Sequence, residues 1–236
     1  MSSSDPVGSC LESLSYALKK KGDPRLALGM SRYMKGRFEY FGVKSPDRKA
    51  VFKLYKSQFL NLIKQGFIED ILIRLWEYEE REMQYCALEL MDVSKKYFKE
   101  DTLDLIERLI LSKSWWDTVD MLAGKSAGFL FLKFPALKVS RLPHWINHAD
   151  FWLNRSAIIH QLNYKEKTDF EWMKKSIIPH IHSDEFFLRK AIGWALRQYS
   201  RTNPQAVVKF VQQHQDLSNL SKKEALRLIP KFKLIA

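Results

Sequence analysis

The sequence predicts an all-α protein, built as a curved solenoid of antiparallel helix pairs. Three observations support this fold class. Apolar residues recur at spacings of three and four along the chain, which is the period of one helix face, and no convincing alternating run suggests a strand. Helix-start signals follow one another at short intervals. One sequence pattern also repeats with a period of about 35 residues, which is typical of stacked helix pairs.

Capping residues, prolines and glycines predict where the helices begin and end. Asp23 is a good cap with Pro24 at the first helical position, and we expect this helix to run to a stop at Gly42. Pro135 and Pro143 should bracket a short connection. Other predicted helix starts, in chain order, are Ser45-Pro46-Asp47, Phe67 after Gly66, Glu80, Thr102, Ser114, Asp150, Thr168, Asp184, Asn203-Pro204 and Ser221.

The repeat is visible in three stretches that each carry an alanine at the same place. They are Glu82–Leu88, Trp152–Ile158 and Phe186–Ile192, and their alanines lie 70 and 34 residues apart. A small residue there would let paired helices approach closely. Connections are short and no low-complexity linker divides the chain, so we expect a single domain over residues 1–236, with residues 1–6 as a flexible tail.

The charge balance predicts a polyanionic partner. Lys and Arg number 39 against 27 Asp and Glu, which gives a formal net charge of +12. Nucleic acid is the first candidate for such a partner, and an anionic membrane surface is the second. A solenoid presents a concave face, and a basic concave face could hold a duplex.

Other features point to a cytosolic protein without a bound metal or cofactor. Cys10 and Cys86 are the only cysteines, which fits a reducing compartment without a disulfide framework. We see no signal peptide at the N-terminus and no apolar run of about 18 residues that would span a membrane. Nucleotide-binding motifs are missing, and neither the cysteines nor the histidines have the spacing of metal ligands.

The stretch Lys113–Asp120 carries the most informative local pattern. Ser114 should cap a helix in which Asp117 is the third residue, and Trp116 and Asp120 then lie one turn apart on the same face. Asp120 stands in an apolar run, where a carboxylate needs a partner, a cation or a chemical role. Two interpretations stay open: a core tryptophan with a paired aspartate, or a functional site.

Lys113–Asp120 and Lys190–Arg197 resemble the two signature stretches of the AlkD family, which are bacterial DNA glycosylases built from HEAT-like repeats. Met30–Lys35 and Ser200–Pro204 resemble that family too, and the similarity extends from about residue 24 to about residue 228. The resemblance implies that the helix pairs are HEAT-like. It also implies a catalytic set and a DNA-binding set of residues. The catalytic set is Asp120, Trp116 and Trp194; the DNA-binding set is Tyr33, Arg155, Arg197, Phe186, Phe187 and Lys113.

Asp120 matches the catalytic carboxylate of that family, and Trp116 and Trp194 match the two tryptophans that flank the lesion. Tyr33 matches an aromatic that lines the same cleft, and Arg155 matches an arginine that grips the DNA backbone beside the lesion. One position departs from the pattern: Asn163 stands where a related sequence has a lysine that contacts a phosphate. Lys165 or Lys167 is a possible substitute for that contact.

The resemblance implies a monofunctional glycosylase in base excision repair. Such an enzyme hydrolyses the N-glycosidic bond of cationic N3- and N7-alkylated purines, such as 3-methyladenine and 7-methylguanine, in double-stranded DNA without flipping the base. We expect it to act as a monomer with no cofactor and no metal. The alternative is a non-catalytic HEAT-repeat module that binds DNA structures or an acidic protein, with Trp116 and Asp120 as packing residues.

Overall fold

The computed structural model describes residues 5–230, and the all-α prediction is confirmed. Apart from an isolated bridge between Glu39 and Glu80, this part of the chain contains no strand. Its α-helices are α1 (Pro6–Lys21), α2 (Pro24–Tyr33), α3 (Ser45–Lys64), α4 (Ile68–Glu77), α5 (Arg81–Ser94), α6 (Thr102–Leu111), α7 (Trp116–Met121), α8 (Gly128–Lys133), α9 (Pro135–Ile146), α10 (Phe151–Ile159), α11 (Phe170–Ile177), α12 (Phe186–Tyr199), α13 (Pro204–Gln213) and α14 (Asn219–Leu226).

Four shorter helical segments supplement these helices. Lys95–Tyr97, Lys165–Lys167 and Ile178–His180 are 3₁₀ turns, and Leu122–Ala127 is a π-helical turn that joins α7 to α8 without a break. No helix within residues 5–230 is long and apolar enough to cross a membrane.

The chain divides into two compact units, Met1–Lys99 and Glu100–Ala236. In each unit alternate helices pack side by side: α1 on α3 and α3 on α5 in the first, α10 on α12 and α12 on α14 in the second. Equivalent helices of successive repeats are neighbours in this way in a solenoid of helix pairs. Ala87, Ala157 and Ala191, which mark the sequence repeat, are all fully buried in these helices. The single domain and the concave basic face stay predictions.

Local capping signals account for several helix starts. The side chains of Asp23, Asp150 and Asn203 accept backbone N–H bonds at the starts of α2, α10 and α13, at 2.8, 2.8 and 3.0 Å. Each bond satisfies a backbone donor that has no partner inside its helix, as predicted. The helix predicted at Thr102 also begins there.

Other predicted boundaries were wrong. Helix α2 ends at Tyr33 and not near Gly42, because Lys35 and Gly36 turn the chain with positive φ angles of 61° and 69°. Pro135 begins α9 and Pro143 lies inside it, so the two prolines do not bracket a connection. The carbonyl that loses its helical partner to Pro143 belongs to Val139, which is 61 % exposed, so solvent can replace the lost bond.

Three more helix starts are displaced from the predicted residue by one to three positions. Asp169 and Glu185 cap α11 and α12, each one residue after the predicted Thr168 and Asp184, because their carboxylates reach the Trp172 and Phe187 N–H groups. Ser218 caps α14, whereas the predicted Ser221 is already helical and donates its hydroxyl to the Arg189 carbonyl at 2.9 Å.

The prediction of a flexible tail over residues 1–6 is wrong for Asp5 and Pro6. Asp5 caps α1 by accepting from the Gly8 N–H, and its carboxylate pairs with Arg74 at 2.7 Å, so Asp5 and Pro6 belong to the folded chain. The Arg74 hydrogen bond, followed by the Gly8 N–H, lowers the pKa of Asp5 to about 2. Residues 1–4 lie outside the described part.

Candidate active site

The helix that carries Trp116 and Asp120 begins differently from the prediction. Trp115 occupies the N-cap position, and Asp117 is the second helical residue. Ser114 does not cap α7, because its hydroxyl donates instead to the Ile110 carbonyl at the end of α6, at 2.6 Å. Lys113 makes the turn between the two helices with a φ of 48°. Trp116 and Asp120 still lie one turn apart on α7, as their spacing requires.

Asp120 is held by an arginine from α10. Arg155 Nε donates to Asp120 Oδ1 at 2.7 Å, and Arg155 Nη2 donates to Asp120 Oδ2 at 2.8 Å. The Arg155 side chain is 4 % exposed and the Asp120 side chain is 15 % exposed, so little solvent reaches the pair. Burial raises the pKa of Asp120, and the hydrogen bonds and charge of Arg155 act against that rise.

Arg155 also bridges α10 to α12. Its Nη1 donates to the Phe187 carbonyl at 2.5 Å, so all three nitrogens of the guanidinium have protein acceptors. The expected contact between Arg155 and a DNA phosphate has no support in this arrangement, because the guanidinium is buried and engaged. What the geometry shows is an arginine that fixes a carboxylate.

An aromatic cluster covers the Asp120–Arg155 pair on the side of α12. Phe187 packs against Trp115 and Trp152 with ring centroids 5.1 and 4.9 Å apart, and it stacks on Phe151 at 6.3 Å. Phe186 contacts Phe187 at 5.5 Å, yet its side chain is 56 % exposed. Of the two phenylalanines predicted to lie near DNA, Phe187 is half-buried in this packing and Phe186 is the more exposed.

Arg155 links α10 to both α7 and α12, and the two predicted lesion-flanking tryptophans lie on α7 and α12. Trp116 is half-buried on α7, and Trp194 is half-buried on α12, where it packs against the hydrophobic core of the second unit. Trp194 follows Phe187 by seven residues, so both lie on one side of α12. Direct contacts join Asp120, Arg155 and Phe187. Trp116 lies on the same helix as Asp120, and Trp194 lies on the same helix as Phe187.

Three residues of the second signature stretch, Lys190, Gly193 and Arg197, lie against α14. Glu224, whose side chain is 12 % exposed, accepts from Lys190 Nζ at 2.7 Å and also from Arg197. A Cβ atom on Gly193 would lie 2.5 Å from the Glu224 Cβ and 3.0 Å from the Ser221 carbonyl oxygen. Glycine therefore permits the close approach of α12 and α14. The hydrogen bond from Lys190 keeps the pKa of Glu224 below its ordinary value, so the carboxylate stays charged. Arg197, expected to face DNA, is paired inside the protein.

The remaining predicted residues are placed as follows. Asn163 Nδ2 donates to the Gly124 carbonyl inside the π-helical turn at 2.9 Å, so this residue supports the helix that follows Asp120. Its neighbours Lys165 and Lys167 are exposed in a 3₁₀ turn. Tyr33 is the last residue of α2, in the first unit, and is 70 % exposed. Lys113 is half-buried at the turn before α7.

Buried polar groups elsewhere in the second unit show no sign of a metal site. His160 is fully buried, its Nδ1 lies 2.7 Å from the Ala157 carbonyl oxygen, and burial lowers the pKa of His160 to about 4. Within residues 5–230, no three His, Cys, Asp or Glu side chains lie close enough together to hold a metal ion.

Comparison with known proteins identifies the family. The family model described as "DNA alkylation repair enzyme" matches residues 14–229. The chain belongs to this family. A solved structure described as a "predicted DNA alkylation repair enzyme" from Enterococcus faecalis is 33 % identical, with a TM-score of 0.78, and the match covers 89 % of this chain and 97 % of that one. A search among curated proteins gives no significant match.

Proposed function

We propose that this alkylation repair protein is an AlkD-type DNA glycosylase that removes cationic N3- and N7-alkylated purines from double-stranded DNA. The observation that carries the proposal is the Asp120 carboxylate, which is nearly buried, held through both oxygens and placed one helical turn from Trp116. A fixed negative charge of this kind suits a reaction whose transition state develops positive charge.

The chemistry requires little beyond such a charge. A purine alkylated at N3 or N7 already carries a positive charge, so the electron pair of the breaking C1′–N bond neutralises the base as it leaves. The sugar becomes an oxocarbenium-like cation, water adds to C1′, and the proton from that water passes to Asp120 or to solvent. Asp120 would stabilise the sugar cation and orient the water. The products are a free base and an abasic site.

Arg155 would act as a positioning residue. A carboxylate has about four acceptor sites, and Arg155 occupies one on each oxygen of Asp120, so others are left for a water molecule or a sugar. The 15 % exposure of the Asp120 side chain leaves a path to solvent. The bidentate contact fixes the plane of the carboxylate before substrate arrives, which lowers the reorganisation needed in the transition state.

Trp116 and Trp194 would supply the selectivity for charge. An indole face attracts a nearby cation with a free energy of about 0.5–2 kcal/mol. Both tryptophans are partly exposed, so each has surface available to a nucleotide. A cationic alkylpurine nucleotide would therefore bind more favourably than a neutral one, without a pocket that reads the base edge or flips it.

The net charge of the protein supports DNA as the binding partner in this proposal. A net charge of +12 favours binding to the phosphates of duplex DNA. We propose action as a monomer in the cytosol, in base excision repair, with no lysine nucleophile and no cofactor in the reaction.

A non-catalytic DNA- or protein-binding module is the second candidate, and one observation favours it. Arg155 pairs with Asp120, and Glu224 pairs with Lys190 and Arg197, so both signature stretches have structural partners of their own. A protein that used these residues only for packing would show the same contacts.

Release of bases from damaged DNA separates the two candidates. Purified protein is incubated with duplexes that each carry one lesion, under single-turnover conditions, and released bases are quantified by mass spectrometry. We expect release of 3-methyladenine and 7-methylguanine, and retention of uracil, hypoxanthine and 8-oxoguanine. Binding to these duplexes without release of any base would support the module and overturn the glycosylase.

A further inference from the structure

A cavity of about 470 Å³ lies beneath α2 in the first unit, remote in sequence from Asp120. We call it the α2 pocket; its lining includes Arg25, Met30, Tyr33, Tyr40, Arg48 and Tyr85. No residue of α2 is buried, although one side of this helix carries Leu26, Met30 and Tyr33. A helix that packs its apolar side against a cavity leaves that side available for a ligand.

The pocket combines aromatic walls with cationic side chains. The hydroxyls of Tyr40 and Tyr85 lie 3.3 Å apart, and the Arg48 guanidinium stands over the Tyr85 ring at 4.9 Å. Arg48 is only 8 % exposed and is paired with Glu89 through Nη2. Among the described residues its Nε is a buried donor without a hydrogen-bond partner. Such a donor costs free energy, which an acceptor on a ligand could offset.

Glu82, a carboxylate in the lining of the α2 pocket, already accepts hydrogen bonds from the protein backbone. Glu82 is 1 % exposed, and it accepts the backbone N–H groups of Phe41, Gly42 and Val43 at 3.1, 3.0 and 3.0 Å. The pocket therefore offers a ligand mainly hydrogen-bond donors, together with aromatic faces. A fitting ligand is flat, polarizable and rich in acceptors along one edge.

We propose that the α2 pocket binds an unpaired purine base, with a guanine-like acceptor edge directed at Arg48. Unpaired bases commonly stack on tyrosine rings and arginine planes. Guanine O6 and N7 are the acceptors that arginine reads most often. The choice of a nucleic-acid base rests on the proposed role in DNA repair, since DNA that contains lesions also offers bases that have left the stack.

Gly29 provides a way to block the pocket without disturbing its walls. It lies at the pocket edge on α2, and a Cβ atom built there meets no heavy atom within 4 Å. Gly29→Trp would place an indole at the entrance. Gly29→Ala is the matched control, because it changes the same residue but leaves the entrance open.

The experiment titrates the full-length protein and both variants by calorimetry with guanosine monophosphate and with ribose 5-phosphate. We expect guanosine monophosphate to bind wild type and Gly29→Ala equally, and Gly29→Trp at least tenfold more weakly. Ribose 5-phosphate should bind wild type at least tenfold more weakly than the nucleotide. Circular dichroism checks that both variants keep the wild-type helix content. Arg48→Lys, tested in parallel, should weaken guanosine more than adenosine monophosphate.

Each outcome is informative. Equal binding of ribose 5-phosphate would show that the site reads phosphate and would overturn the assignment to a base. Equal binding by Gly29→Trp, or no nucleotide binding by wild type, would overturn it as well. Should Gly29→Trp lose helix content, the Arg48→Lys comparison decides alone, and an equal loss for both nucleotides contradicts the proposal. Excision of 7-methylguanine by wild type is measured separately, so failure of the glycosylase is distinguishable from failure of the pocket.

Discussion

Asp120 and Arg155 lie 35 residues apart in the chain and meet through two parallel hydrogen bonds of 2.7 and 2.8 Å. The carboxylate contributes negative charge and the guanidinium fixes its orientation. Because both side chains are nearly dry, a change to either one leaves an unmatched buried charge. If Asp120 is catalytic as proposed, activity and stability are coupled at this pair, so an experiment on Asp120 has to measure both.

The first prediction concerns Asp120→Asn. Loss of the fixed charge should lower the single-turnover rate of 7-methylguanine excision by about 10²–10³, as removal of a preorganised electrostatic contact commonly does. The variant should also unfold more easily, by up to about 3–5 kcal/mol, because Arg155 stays buried without its counter-charge. Quench-flow excision and urea denaturation measure the two effects.

The double variant Asp120→Leu/Arg155→Met is the control for that coupling. Replacing both charges by apolar side chains should restore much of the lost stability, since well-packed apolar residues often substitute for a buried ion pair at little cost. Excision should stay at least as low as in Asp120→Asn. A folded Asp120→Asn protein that excises at the wild-type rate would contradict the catalytic assignment.

The second prediction is a pH dependence of excision. Burial raises the pKa of Asp120, so the carboxylate takes up its proton at a higher pH than a solvent-exposed aspartate would. In the proposed mechanism only the ionised form of Asp120 stabilises the sugar cation, so excision should fall as pH decreases through this raised pKa. 7-Methylguanine is the suitable substrate, because it is cationic without protonation. A rate that is flat down to the ordinary pKa of aspartate would show that Asp120 ionisation is not needed.

The raised pKa of Asp120 also affects the stability of the fold, but with the opposite pH dependence: excision should fall as pH decreases, whereas stability should fall as pH rises. Between the ordinary pKa and the raised one, the folded protein binds more protons at Asp120 than the unfolded chain does. The contribution of Asp120 to the free energy of unfolding should therefore decrease as pH rises through that window. Denaturation of wild type and the double variant across the window, compared as a difference, isolates this contribution from other groups.

The third prediction concerns the tryptophans. Trp116→Ala and Trp194→Ala should each reduce excision, and the loss should be larger for 7-methylguanine than for the more labile 3-methyladenine. Trp194→Ala should also destabilise the fold, because Trp194 packs against the core of the second unit. Trp→Phe at either position retains aromatic packing and weakens the attraction to a cation. Equal losses on both lesions would indicate that the tryptophans act through folding alone.

The fourth prediction tests the packing of α12 on α14. Gly193→Ala should destabilise the protein by about 1–3 kcal/mol, because the added methyl group would overlap Glu224 and Ser221. Gly29→Ala is the matched comparison within α2: its methyl group meets nothing, and it should stabilise by about 0.4–1 kcal/mol. Thermal melts of both variants are sufficient. A neutral effect at Gly193 would contradict the close approach.

The fifth prediction concerns salt. Affinity for a duplex that carries an abasic-site mimic should fall steeply between low and physiological salt, since binding by cations releases counterions from DNA. Arg155→Ala should leave the slope of log affinity against log salt unchanged, because this guanidinium contacts Asp120 and not solvent. Fluorescence anisotropy over a salt series measures the slope. A slope shallower by about one unit in Arg155→Ala would show that Arg155 does reach a phosphate.

The sequence predicted features that depend on neighbours along the chain. Asp23, Asp150 and Asn203 cap helices because each carboxylate or amide reaches an N–H two or three residues away. The proximity of Trp116 and Asp120 follows from helical spacing in the same way. The family resemblance added the prediction that Asp120 is a catalytic residue.

Partners distant in the chain were not predictable by such reasoning. Arg155 has the same sequence context whether it faces DNA or Asp120, and only the packing of α7, α10 and α12 decides between them. Glu224 follows the predicted cap Ser221 by three residues, a spacing that indicates a capping motif, yet it accepts from Lys190 and Arg197. A buried salt bridge leaves no periodic signal, because its two halves are set by tertiary contacts.

The direction in which Asp120 points depends on the number of residues in the π-helical turn Leu122–Ala127. The Gly128 N–H donates to the Ala123 carbonyl, five residues back, so the turn holds more residues than an α-helical one. Deletion of a single residue from it would let α7 and α8 continue as one regular helix. Each residue rotates an α-helix by about 100°, so Asp120 would swing away from Arg155 while α8 kept its place. Single-residue deletions should thus be tolerated less well here than conservative substitutions.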